Sequence, residues 1–343
     1  MKKLVLLSVF LILIFSNLFS QEAKEYKVVS LAFYNVENLF DTIPGKNDRE
    51  FTPVGNKKWD TPKYYAKLDT LASVISKIGR ELTNTAPAVV GLSEIENLIV
   101  LEDLVEAKDI KKYNYQIVHF DGPDYRGVDC AFLYRPEYFT LTNVAMHSVY
   151  TPDDPGFRTR DQLLVSGVFD GEEMHFIVLH WPSRYGGEKR SAPKRFAAAD
   201  VTRSIVDSIL EINSKAKIVI MGDLNDDPDS KSVKNHLKTQ YKKEKTKLPY
   251  LYNTMESLYR NGIGSLAYRD KWNLFDQIII TPEFLEKDKS SYRFYQAHVF
   301  NKSFLMQKEG RFKGYPLRTY VGDTYVGGYS DHFPTYIYLI KEK

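Results

Sequence analysis

The chain has 343 residues, 43% hydrophobic and 14% aromatic, with 47 Lys and Arg against 44 Asp and Glu. That is ample for one large core, and the absence of low-complexity runs argues against disorder except near the ends. A net charge of +3 argues against a general polyanion binder acting through bulk charge, and a single cysteine excludes an internal disulfide.

Residues 1–20, "MKKLVLLSVFLILIFSNLFS", join Lys2-Lys3, an apolar stretch from Leu4 to Phe15 and a more polar end. The apolar stretch is short for a bilayer span, which predicts a secretory signal peptide removed before Gln21. The protein is then exported, periplasmic or secreted; an uncleaved segment would instead anchor it to the membrane. Without those two lysines the charge is +1. One locally basic stretch remains, 231–247 with seven Lys against one Glu, either a solvated surface or a rim for phosphates. Cys130 lies inside apolar "DCAFLY" and reads as a small buried hydrophobe.

The pattern predicts a strand over 27–36 and an amphipathic helix over 62–82, opened by Thr61-Pro62. A strand over 87–95 and a helix over 97–110 follow. "YQIVHF", "DCAFLYRP", "LLVSGVF" and "MHFIVLHW" are further strands, before a long helix around 190–213. Then come strands at 217–222 and 272–281 and a closing segment 329–340. Consecutive strands mixed with strand–helix pairs predict mixed sheets. No linker divides the chain, so residues 21–343 read as one domain with no stable protein partner, a monomer.

Several predicted strands end in chemically capable residues: Asn35 and Glu37, Glu94 and Glu96, His180 and Arg184, Asp223 and Asn225. Asp276 and the Asp331-His332 pair complete the set. Strand ends on one sheet edge converge, as layered folds assemble sites. Hard oxygen donors suit Mg²⁺, with Mn²⁺ or Ca²⁺ as alternatives. Each element alone has a plainer reading: Glu94 as a helix cap, His180 as a structural histidine, "DLNDD" as an Asx-turn cluster. A calcium loop starting at Asp223 fails, because Pro228 and Lys234 stand where Gly and Glu are needed.

In order, "YNVENLFD", "LSEIEN", "LHWPSR", "GDLND", "FDQIII" and "SDHFP" resemble the endonuclease/exonuclease/phosphatase superfamily over about Val28 to Tyr338. That group includes pancreatic-type deoxyribonucleases, apurinic-site endonucleases, sphingomyelinases and inositol-polyphosphate 5-phosphatases. "FYNVENLFDT" with "LSEIEN" looks like an exported bacterial branch. The resemblance implies an α/β fold, a four-layer α/β/β/α sandwich of two packed mixed sheets flanked by helices. It also implies metal-assisted hydrolysis of a phosphate ester by water.

Carried over by motif, Glu94 is the principal metal ligand, with Asn35 and Asp331 beside it. Asp276 orients His332, and either His332 or Asp223 is the general base. Asn225 and His180 donate to phosphoryl oxygens. Arg126 and Arg184 are candidate phosphate clamps, Asp129 a candidate partner of His180, and Trp272 a candidate stacking platform. The expected function is a Mg²⁺-dependent phosphodiesterase of nuclease type, with nucleic acid as one candidate substrate. The alternatives are a phosphatase or phospholipase on a sugar phosphate or lipid head group, and a non-catalytic binding module. The segment 299–332, rich in Tyr, Lys and Arg, would rim the site or fill the core.

Overall fold

The computed structural model describes residues 25–45, 50–151 and 154–343; the expected signal peptide lies outside them. The first sheet has the strand order β14-β17-β1-β2-β4-β3. Its members are β1 (Tyr26–Leu39), β2 (Val89–Ile95), β3 (Gln116–His119), β4 (Asp129–Tyr134), β14 (Arg293–Val299) and β17 (Thr335–Glu342). The second has the order β5-β6-β7-β8-β13-β10-β9. It comprises β5 (Phe139–His147), β6 (Gln162–Phe169), β7 (Glu172–His180), β8 (Lys217–Asp223), β9 (Thr239–Gln240), β10 (Leu251–Asn253) and β13 (Asp276–Ile280). Two small hairpins, β11-β12 (Leu266–Tyr268, Lys271–Asn273) and β15-β16 (Tyr320–Val321, Thr324–Tyr325), lie outside these sheets.

Alternation along the strands explains the layering. In β8, Val219 and Met221 join the core between the sheets, while Ile218 and Ile220 pack with Ala198, Val206 and Ile209 of helix α4 (Glu188–Ile212). β7 divides likewise, Phe176 and Val178 inward, Ile177 and Leu179 toward α4. Both faces of these strands are therefore buried, the pattern of continuous apolar runs. Across the inner layer Phe132 meets Phe176, centroids 5.1 Å apart, and a Cβ on Gly91 would lie 2.6 Å from Met221 Sδ.

The first sheet's outer face carries α1 (Thr61–Ile75), α2 (Arg80–Thr83) and α3 (Leu98–Glu106). Asp60 caps α1 by accepting from the Lys63 N–H, and Pro62 sits in its first turn. The helix expected over 62–82 is two helices, because Gly79 turns the chain at φ 71°. A Cβ there would stand 2.6 Å from Ser30 Cβ on β1, so close approach also requires glycine. The strand expected over 272–281 is β12 and β13, divided at Leu274-Phe275. β5, half exposed at the sheet edge, carries too little alternation to be read from sequence. The result is the four-layer α/β sandwich.

Candidate active site

β1 and β2 run parallel, as do β7 and β8, while β13 and β17 run antiparallel to β8 and β1. The ends of the first four and the starts of the last two therefore share one rim. There His180, Asp223 and Asp276 lie abreast, His180 opposite Asp223 and Asp223 opposite Asp276. Asn35 reaches across from the other sheet, its Nδ2 donating to Asp223 Oδ2 at 3.1 Å. Glu94 sits at φ 66°, where the β2–β4 register shifts between Ser93 and Ile95. Such a bulge re-aims one side chain out of the ladder.

The loop before β17 is fastened by Ser330, whose hydroxyl donates to the Asn35 carbonyl at 2.7 Å and accepts the His332 N–H at 3.0 Å. His332 Nδ1 then donates to Asp276 Oδ2 at 2.7 Å, and the Ser265 hydroxyl donates to the same oxygen. His332 Nε2 faces Asp223 Oδ2 at 4.0 Å, and His180 Nε2 stands 3.5 Å from that oxygen. Asn225 turns back at φ 49°, its N–H donating to Asp223 Oδ1 at 2.9 Å and its amide to the Trp181 carbonyl at 2.9 Å.

These neighbours separate the protonation states. Burial alone would keep His332 neutral, but the charge and hydrogen bond of Asp276 outweigh it and hold the imidazole well above its usual range. Burial pushes Asp223 up to about 6, with Asp276 adding to the rise and His332 opposing it. Burial, then Arg160 and Arg126, hold His180 well below its usual range, so it is neutral. Burial raises Glu94, yet Arg126, His332 and Arg160 overcome that and keep it ionised.

Asn35, Glu94, His180, Asp223, Asn225, Asp276 and His332 thus come together. Asp331 stands at the margin, its Oδ2 accepting from Arg318 at 2.6 Å and its Oδ1 3.9 Å from His332 Nε2. Arg126 lies against Glu94 Oε1 at 3.3 Å. Arg184 is not aimed into the cleft: it donates to the Asn225 carbonyl and to Asp226, and stacks on Phe275. Asp129 does not pair with His180, whose Nδ1 has no hydrogen bond among the described residues; it faces His119. Trp272 stacks on Phe333, centroids 6.1 Å apart, and packs against the core. None of 231–247 lines the cleft. From 299–332 only His332 does, while Tyr320 is buried and Tyr329 packs on Phe304.

Sequence reading missed Arg160. Its guanidinium, 5% exposed, donates to the carbonyls of His180 and Trp181 and to Asp124 Oδ2. It also missed Lys67, a helical lysine that looks solvated but is buried, donating to Thr319 and the Tyr329 carbonyl at 2.6 Å each. Glu37, noted only as a strand end, accepts from Arg318 and the Thr319 N–H. Burial and Asp331 push it up to about 7. The cleft encloses about 570 Å³. Its walls include five cationic side chains, Arg126, Arg158, Arg160, Arg190 and Lys194, beside Tyr125, Phe157 and Tyr185.

The oxygen donors of Glu94, Asn35 and Asp331 fit a hard divalent cation by donor chemistry. Glu94 is the strongest candidate, an ionised carboxylate whose Oε1 is met at 3.3 Å by Arg126 and at 4.0 Å by His180. At this rim Asp223, Asp276 and His332 also bring one potential ligand atom each to within 4.8 Å of one another.

Residues 30–341 match the model of the Endonuclease/Exonuclease/phosphatase family. The chain belongs to that family. No curated protein matches it, but solved structures share its fold at low identity. A family protein from Bacteroides thetaiotaomicron is 17% identical with a TM-score of 0.54, covering 93% of this chain and 100% of that one. The mannosyl-6-phosphatase of Bacteroides thetaiotaomicron is 16% identical, TM-score 0.54, covering 91% and 99%. TDP2 of D. rerio complexed with single-strand DNA product is 15% identical, TM-score 0.54, covering 91% and 99%. These likenesses show the Endonuclease/Exonuclease/phosphatase fold.

Proposed function

We propose that the chain is a metal-dependent phosphodiesterase that hydrolyses phosphate esters by attack of water. The observation that carries this is Asp223, a buried carboxylate placed between two histidines held in opposite protonation states. A raised carboxylate beside a cationic imidazole is the separation of acid and base roles that active sites need.

The geometry favours Asp223 over His332 as general base. His332 already carries its proton, so it donates from Nε2 to a phosphoryl oxygen while Asp276 holds the ring. Asp223, ionised above pH about 6, takes a proton from water as the water oxygen bonds to phosphorus. The ester P–O bond breaks, and the leaving oxygen takes its proton from solvent. Charge on the phosphoryl oxygens is met by His332, with Asn225 and neutral His180 turning donors toward it. Glu94, Asn35 and Asp331 would hold the ion, Mg²⁺ first and Mn²⁺ or Ca²⁺ next, which when bound lends Lewis acidity to the phosphate.

The residues of the cleft wall support one substrate class. Arg158, Arg190 and Lys194 extend positive charge beyond the scissile position, alongside Tyr125 and Tyr185, which are 74% and 90% exposed. Guanidinium groups with aromatic faces suit a phosphodiester chain, including single-stranded nucleic acid. The likeness to TDP2 with its DNA product supports this reading; that to the mannosyl-6-phosphatase supports a monoester substrate instead. Residues 1–20 support action outside the cytoplasm. The test is hydrolysis of single-stranded DNA, bis-p-nitrophenyl phosphate, p-nitrophenyl phosphate and a hexose phosphate with Mg²⁺. Turnover of the diesters is expected, and turnover of monoesters alone would overturn the diesterase reading.

A further inference from the structure

The loop between β3 and β4, residues 120–128, delivers Arg126 to Glu94 and Asp124 to Arg160. At its base His119, Asp121 and Asp129 bring one ligand atom each to within 4.8 Å of the others. The His119 side chain is 2% exposed, and its Nε2 stands 4.0 Å from Asp129 Oδ2. That nitrogen has no hydrogen-bond partner among the described residues. A buried ring nitrogen aimed at a carboxylate from beyond hydrogen-bond range is costly to desolvate. An ion bonded at roughly 2.0–2.2 Å would close the gap. Gly122 lets the loop fold onto this point, since a Cβ there would lie 2.4 Å from Asp129 Oδ1. Asp121 is exposed, which leaves a path for the ion and for water ligands.

We propose that His119, Asp121 and Asp129 form a divalent transition-metal site, separate from Glu94, that clasps the base of the loop carrying Arg126. One imidazole with two carboxylates favours Zn²⁺, or Mn²⁺, over Mg²⁺ and Ca²⁺. The bound ion would link the end of β3 to the start of β4 and hold Arg126 against Glu94.

The experiment strips the full chain with chelator, adds Zn²⁺, removes the excess by gel filtration and counts metal by mass spectrometry. Co²⁺ reports the same site by its visible absorption. Wild type and Glu94→Gln should each retain a Zn²⁺ equivalent and show the Co²⁺ bands. His119→Ala should lose both, with affinity lowered more than about 100-fold. Asp121→Asn, at an exposed position, repeats the test without disturbing the core. Equal Zn²⁺ retention by wild type, His119→Ala and Asp121→Asn overturns the proposal, as does an equivalent lost only in Glu94→Gln. The count needs no turnover, so it stands or falls apart from the phosphodiesterase reading.

Discussion

The His332 ring joins two carboxylates of neighbouring strands, 2.7 Å from Asp276 Oδ2 through Nδ1 and 4.0 Å from Asp223 Oδ2 through Nε2. Asp276 supplies most of what keeps the ring charged. Asp276→Asn should therefore lower the His332 pKa and cut kcat/KM by about 10²–10⁴-fold, as loss of an orienting carboxylate does elsewhere. Kinetics with an NMR titration of the imidazole check both effects. A large loss with an unshifted ring would assign Asp276 another role.

The pH profile follows from Asp223. Its pKa of about 6 means the base is protonated, and inactive, below that value. kcat/KM should rise through pH about 6 to a plateau. Cationic His332 lowers the Asp223 pKa, so the residual activity of His332→Gln should show its acid limb at higher pH. A limb that moves downward would contradict the pairing.

Gly222 separates Met221 from Asp223, and a Cβ there would lie 2.4 Å from the Leu179 carbonyl oxygen of β7. A backbone neighbour cannot rotate away. Gly222→Ala should cost about 1–3 kcal/mol or more in stability and misplace Asp223. Urea denaturation and kcat on bis-p-nitrophenyl phosphate measure the two effects.

Much of this was legible in the sequence because the informative residues sit at strand ends. Gly222, Asp223 and Asn225 follow an apolar run, and strand termini converge whatever the long-range order. Lys67 and Arg160 were illegible for the opposite reason. Their burial depends on partners far along the chain, Thr319 and Tyr329 for the first, Asp124 for the second. Arg184 misled because its position after "LHWPS" does not reveal that Asp226 and Phe275 take its guanidinium. Trp272 misled because Phe333 covers it.

Arg190 has no ion-pair partner among the described residues, and it lines the cleft from the first turn of α4. Arg190→Ala should raise KM for an oligonucleotide several-fold with kcat nearly unchanged, and flatten the dependence on salt. On bis-p-nitrophenyl phosphate, too short to reach the wall, it should change little. Equal effects on both substrates would place Arg190 in the chemistry and remove it from substrate-chain binding.

Hydrolysis at this site turns on Asp223 as the base that takes the proton from water. The most direct test of that role is kcat/KM of Asp223→Asn on bis-p-nitrophenyl phosphate with Mg²⁺, beside wild type with Mg²⁺ and with EDTA. The amide keeps the shape of the carboxylate but cannot take the proton. Wild type should turn over with Mg²⁺ and not in EDTA, and a variant with an unchanged melting curve should fall by about 10³-fold or more if Asp223 is the base. Turnover by Asp223→Asn within a few-fold of wild type would contradict that role.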